Sequence, residues 1–173
     1  MSLLDLEAKK KALRLIPHGV YVVGVREGGQ LNAFTATWLT QVSFEPPLVA
    51  LGVRRDGVSF KMIQAEQVFS INFLGSHQKA TAQHFLKPAR PAGSSVAGGP
   101  AHERTDKLAG IPHETGQTGA PILTEGIAFL ECRVKEITSG GDHAVVIGEV
   151  VAAGLGKLTD PLTLKETGWH YGG

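Results

Sequence analysis

The apolar, β-branched stretches of this chain are joined by connections too short for a parallel crossover. Glu27-Gly28-Gly29 links residues 20–26 to 31–40, and Ser139-Gly140-Gly141-Asp142 links 127–137 to 143–153. A parallel pair needs about a dozen connecting residues or more, usually a helix, whereas a tight turn returns the chain as an antiparallel hairpin. The 22 glycines and 9 prolines supply many such turns. Ser43-Phe44-Glu45-Pro46-Pro47 interrupts the ladder between 31–40 and 48–53, because proline has no N–H to donate. The expected architecture is mainly β: a β-barrel with a few peripheral helices, closed so that no apolar edge is left exposed.

The remaining segments fit around that barrel. Leu3, Leu6, Leu13 and Ile16 recur at helical spacing, predicting an amphipathic helix over 3–16 that Pro17 stops. Residues 48–53 are apolar at nearly every position, as in a strand buried on both faces. Asp56 can cap a helix over 57–65 with Phe60 and Ile63 inward, and 68–74 alternates as a strand. A second helix is expected over 78–86. The Gly-, Pro- and Ser-rich stretch 87–126 should hold short pieces near Leu108 and Ile111 and a surface excursion at 91–100. A last short helix is expected near 160–166. There is no internal repeat, and the expectation is a single domain over 1–173.

Composition excludes several function classes. A net charge of +1 gives no field for nucleic acid or an anionic membrane, so an anion site must be local. No apolar run approaches the ~20 residues that span a bilayer, and the N-terminus, with acids ahead of its lysines, lacks a signal-peptide pattern. Cys132 is the single cysteine, which points to a reducing cytoplasm and, between Leu130 and Val134, to a core position. Histidine spacing suggests no metal. His77 and His84 share a helical face without a carboxylate, and His102 and His113 lie in a loop.

The chemistry-bearing stretch runs from Asn32 to Ser59. Thr35, Ala36, Thr37 and Trp38 offer small side chains, hydroxyls and backbone N–H groups along which a flat polar ring can lie. The same residues also suit an ordinary half-buried strand. Arg54, Arg55 and Ser59 stand at a strand-to-helix turn, where guanidinium forks and helical N–H groups can hold a phosphate, with Asp56 pointing away as the cap. Solvated surface arginines are the plainer alternative. His143, directly after a Gly-Gly-Asp turn, can project over a barrel mouth, or it can be a turn-adjacent histidine without a role.

Four pieces in order carry a resemblance: N-A-F-T-A-T-W-L-T-Q-V-S-F-E-P-P-L-V, then V-R-R-D-G-V-S, then A-Q-H-F-L-K-P, then I-A-F-L-E-C-R-V with G-G-D-H-A-V-V-I-G-E-V. Together they resemble the flavin reductase-like, FMN-binding split-barrel family, and H-F-L-K-P and F-L-E-C are similar to the reductase modules of cyanobacterial diflavin proteins. The resemblance implies a split barrel, FMN near a two-fold homodimer interface, and reduction by NADH or NADPH. It places Thr35 to Trp38 along the flavin ring, with Asn32 among the cofactor-binding residues, and Ser43, Val53 and Arg54 beside the ribityl-phosphate. Arg55 and Ser59 fall on the phosphate, and His143, the candidate catalytic residue, on the nicotinamide-facing side. Phe85 and Lys87 are further candidates. The C-terminal Trp169-His170-Tyr171 resembles a tail that can approach the flavin, in its own or the partner subunit. The family holds flavin reductases, ferric reductases and electron carriers, so three readings stay open. The chain is an oxidoreductase passing electrons to a free flavin, ferric iron or an oxygenase partner; or a carrier without nicotinamide turnover; or a ligand-binding barrel with no redox role.

Overall fold

A computed structural model describes residues 4–86 and 106–172. The strands are β1 Tyr21–Glu27, β2 Gln30–Ala36, β3 Leu39–Ser43, β4 Leu48–Arg54, β5 Val68–Phe73, β6 His113–Thr115, β7 Pro121–Leu123, β8 Ala128–Ser139 and β9 His143–Leu155. The helices are α1 Leu6–Leu13, α2 Val58–Glu66, α3 Lys79–Phe85 and α4 Leu164–Thr167. Seven strands form one sheet in the order β2-β1-β5-β8-β9-β4-β3, and neighbouring strands in it pair antiparallel. Gly28 and Gly29, with φ of 53° and 85°, turn β1 into β2, the paired left-handed conformations that a two-residue hairpin needs.

The sheet does not close, contrary to the expectation of a barrel without edges. β2 and β3 are the two ends of the strand order, yet only Thr37 and Trp38 separate them in the chain. Two residues span less than about 11 Å, so the sheet rolls until its edges meet at that corner, and among the described residues β2 and β3 do not pair with each other. This is the split of a split barrel, and it is why 31–40 is two strands rather than one. The interior is filled by Val23, Leu51, Val53, Phe60, Ile63, Phe69, Ile71 and Val146. A second cluster, including Val20, Leu74, Phe85, Leu108 and Leu162, packs behind β1 and β2.

Other local expectations shift for identifiable reasons. β4 alternates between buried and half-buried positions instead of being covered on both faces, whereas β5, expected to alternate, is buried at Val68–Ile71 and Asn72. β5 lies between β1 and β8 and under β7, so both its faces are covered. α2 is capped by Gly57 and not by Asp56, whose carboxylate binds Arg54. α1 is shorter than 3–16, starts on an Asp5 cap and has no buried residue. The Gly-rich stretch contains the small ladder β6–β7, which the sequence did not signal, and the final helix is only Leu164–Thr167. The 91–100 excursion, Lys87 and His102 lie outside the described residues.

Candidate functional site

Register builds the site. β4 pairs with β9 so that Arg54 stands opposite His143, and β3 pairs with β4 so that Leu39 stands opposite Leu51. The open β2–β3 corner, the arginine turn and the β8–β9 turn are thereby brought to one end of the sheet. Gly52 N–H donates to the Trp38 carbonyl at 2.8 Å. A Cβ on Gly52 would lie 3.0 Å from Trp38 Cε3, so glycine is what lets the indole lie on β4.

Trp38 is one side of an aromatic corner. Its ring centroid lies 4.5 Å from that of His143 and 5.2 Å from that of Tyr171, the latter edge-on. His143 Nδ1 meets Asp142 Oδ1 at 2.8 Å and its Nε2 meets the Tyr171 hydroxyl at 2.6 Å. The His143 side chain is only 16% exposed, although it sits at a strand end. Its hydrogen bond holds the Asp142 carboxyl below the usual carboxylate range, and burial pushes the Tyr171 phenol up. The side chain bound to one ring nitrogen orients the imidazole, so the other nitrogen faces a defined direction.

Beside it is a cationic corner. A cleft of about 510 Å³ is lined by Arg54, Arg55, Asp56, Phe60, Gln64, Gly141 and Asp142. Arg54 is clamped by both oxygens of Asp56, at 3.0 and 2.6 Å, which raises its own pKa and lowers that of Asp56. Arg55 donates to the Gly141 carbonyl at 3.3 Å, and its N–H donates to the Asp142 carbonyl at 3.1 Å, tying this turn to the β8–β9 turn. Ser59 sits in the first turn of α2.

Not every expected residue joins this group. Ser43 pairs with Leu48 at the far end of β4, about 20 Å from Arg54 at strand spacing, so the structure separates it from the arginine turn. Ala36 and Val53 are core residues, able to contribute only backbone there. Asn32 is buried, with its amide on Met62 Sδ and its oxygen accepting from the Ala33 N–H; it reaches α2 one turn beyond Ser59. Thr35 donates to the Ala82 carbonyl at 2.6 Å, and Phe85 packs in the second cluster. The sequence reading missed Asp142, although an acid directly before a histidine was visible, and it missed Gly52.

The chain matches the flavin reductase like domain over residues 13–172. The chain belongs to that family. It is 32% identical to the reductase component of 4-hydroxyphenylacetate 3-monooxygenase from Thermus thermophilus, covering 95% of both chains. It is also 32% identical to diflavin flavoprotein A 1 of Synechocystis sp. over 88% of its own length, but it spans only 24% of that protein. Among solved structures, the NADH:FAD oxidoreductase of Streptomyces globisporus, in complex with NAD and FAD fragments, superposes with a TM-score of 0.74 at 28% identity, covering 94% of this chain and 92% of that one. The split barrel is thus the fold of flavin reductases. No group of metal-ligating side chains occurs among the described residues, and no helix among them is long and apolar enough to cross a membrane.

The residues present fit a flavin. Thr37 Oγ1, at the open corner, is buried with no hydrogen-bond partner among the described residues, and such an atom costs about 1–3 kcal/mol if it stays unpaired. Among the described residues, β2 and β3 each lack a neighbouring strand on their outer side at the same corner. Among the described residues of the cleft, with Arg54 clamped by Asp56, Arg55 is the cation available for a phosphate.

Proposed function

We propose that this oxidoreductase binds FMN as its flavin, accepts a hydride from NADH or NADPH, and passes the electrons to a free flavin, ferric iron or an oxygenase partner. The reading includes a single domain acting as a homodimer in the cytoplasm. The observation that carries it is the Arg54–His143 register, which sets the arginine-lined cleft beside an aromatic corner at the open edge of the sheet.

When bound, a flavin supplies the two-electron acceptor, so no side-chain acid or base is required for the redox step. The chain's own groups bind and orient. Arg55 and the first turn of α2 at Ser59 hold the phosphate. Thr37 and the backbone edges of β2 and β3 donate to the polar rim of the ring. Trp38 and His143 exclude water from one side and orient the nicotinamide. Purified protein incubated with FMN should hold it through gel filtration, and the visible absorbance should bleach anaerobically on adding NADH or NADPH. Protein that takes up no flavin, or whose flavin stays oxidised with both nucleotides, contradicts the reading. Bleaching without turnover on free flavin or ferric acceptors would instead identify an electron carrier.

A further inference from the structure

The C-terminal tail does not simply border the site; it occupies the one ring nitrogen of His143 that Asp142 leaves free. Residues 169–172 belong to no helix or strand. Tyr171 lies two residues beyond Trp169 and is followed by Gly172, with φ of 85°. Its contacts at the corner are the 2.6 Å hydrogen bond to His143 Nε2 and the edges of two rings. Gly172 follows it onto the indole, where a Cβ would lie 3.0 Å from Trp38 Cζ2. Trp169, by contrast, is anchored: it packs in the second cluster, with the Lys79 ammonium 5.7 Å from its ring. A cavity of about 910 Å³, whose walls include Tyr21, Phe73, Leu162, Trp169, His170 and Tyr171, opens alongside the tail. With Trp169 held and His170 exposed, the short segment beyond Trp169 can swing into the adjoining space.

Resting on the functional reading above, we propose that Tyr171 is a displaceable cap on His143, and that the carboxamide of the nicotinamide co-substrate takes the place of its hydroxyl. A carboxamide carries both an acceptor and a donor on a planar group, so it can satisfy His143 Nε2 in either tautomer, as the phenol does. Its adjoining ring can take the place of the Tyr171 ring at the edge of Trp38. Tyr171 is therefore a specificity-determining residue, since a nucleotide without an amide cannot replace the bond that the cap gives up.

The test is Tyr171→Phe, which keeps the ring contacts and removes the bond. Losing one neutral hydrogen bond from the resting state should lower the KM for NADH or NADPH about threefold to tenfold. A tyrosine that only stabilises the fold would lower Tm and leave KM where it was. In wild-type protein with ¹⁵N-labelled histidine, adding NAD should move the His143 Nε2 resonance away from its tyrosine-bonded position. Wild-type turnover with an unchanged or raised KM in the variant overturns the cap and leaves the functional reading intact. Wild-type protein that oxidises neither nucleotide overturns the functional reading, and the cap with it.

Discussion

The cationic corner and the aromatic corner adjoin, but they are built in opposite ways. The first centres on one short run of chain, Arg54 to Ser59, braced by the β8–β9 turn, with its charges in water: the Arg54 and Asp56 side chains are 63% and 70% exposed. The second gathers residues from three distant segments, Trp38, His143 and Tyr171, around an imidazole that is almost covered. Exposed charges attract an anion from a distance but are screened by salt and hold it loosely. Packed rings over a glycine fix direction but attract little. Anchorage and orientation are thus assigned to different parts of the site.

Substitutions can break that division. Arg55→Ala should weaken FMN about tenfold to a hundredfold, the loss of a charge-assisted contact, while riboflavin binding barely changes. Equal losses for both ligands, by isothermal titration, would show that Arg55 is not a phosphate anchor. Gly52→Val should act on the other corner. It drives a side chain into Trp38, where a Cβ alone would lie within 3.0 Å, and overpacking of this kind costs about 1–3 kcal/mol. Chemical denaturation should show that loss, and riboflavin should then weaken together with FMN. Asp56→Asn should release Arg54 and tighten FMN roughly two- to fivefold at low ionic strength, an effect that roughly 1 M salt removes.

These expectations also mark what a sequence shows and hides. The β1–β2 and β8–β9 hairpins were legible because turn chemistry and alternation are local, and the arginine turn was legible because its parts are contiguous. The break at Thr37 and Trp38 was not, since nothing in that run says that the two edges of a rolled sheet meet there. Asp56 reads as a cap by position, but a bidentate arginine two residues away outcompeted the helix N–H groups. His143 and Tyr171 are 28 residues apart, and no spacing rule joins them. Ser43 misled for the complementary reason: it is close to Arg54 in sequence, and a strand length separates them.

The smallest expected effect lies behind both corners. Lys107 is buried, donating to the Ala33 carbonyl at 3.1 Å, and burial lowers its pKa to about 8 from 10.5. Between those values the unfolded chain holds more protons than the folded one, so this group makes stability rise with pH from about 8 towards 10.5. Denaturation midpoints should show that rise in wild type and not in Lys107→Met. If the rise persists in the variant, the alkaline response belongs to another group.

The claim beneath both corners is that the open edge of the sheet receives a flavin ring, with its phosphate at the arginine turn. A crystal structure of the protein with FMN tests it directly. The account predicts the phosphate between Arg55 and Ser59 and the ring along Thr35 to Trp38, within reach of the Thr37 hydroxyl. A structure in which that edge is filled by the protein's own side chains, with FMN elsewhere or absent at saturating concentration, would contradict it.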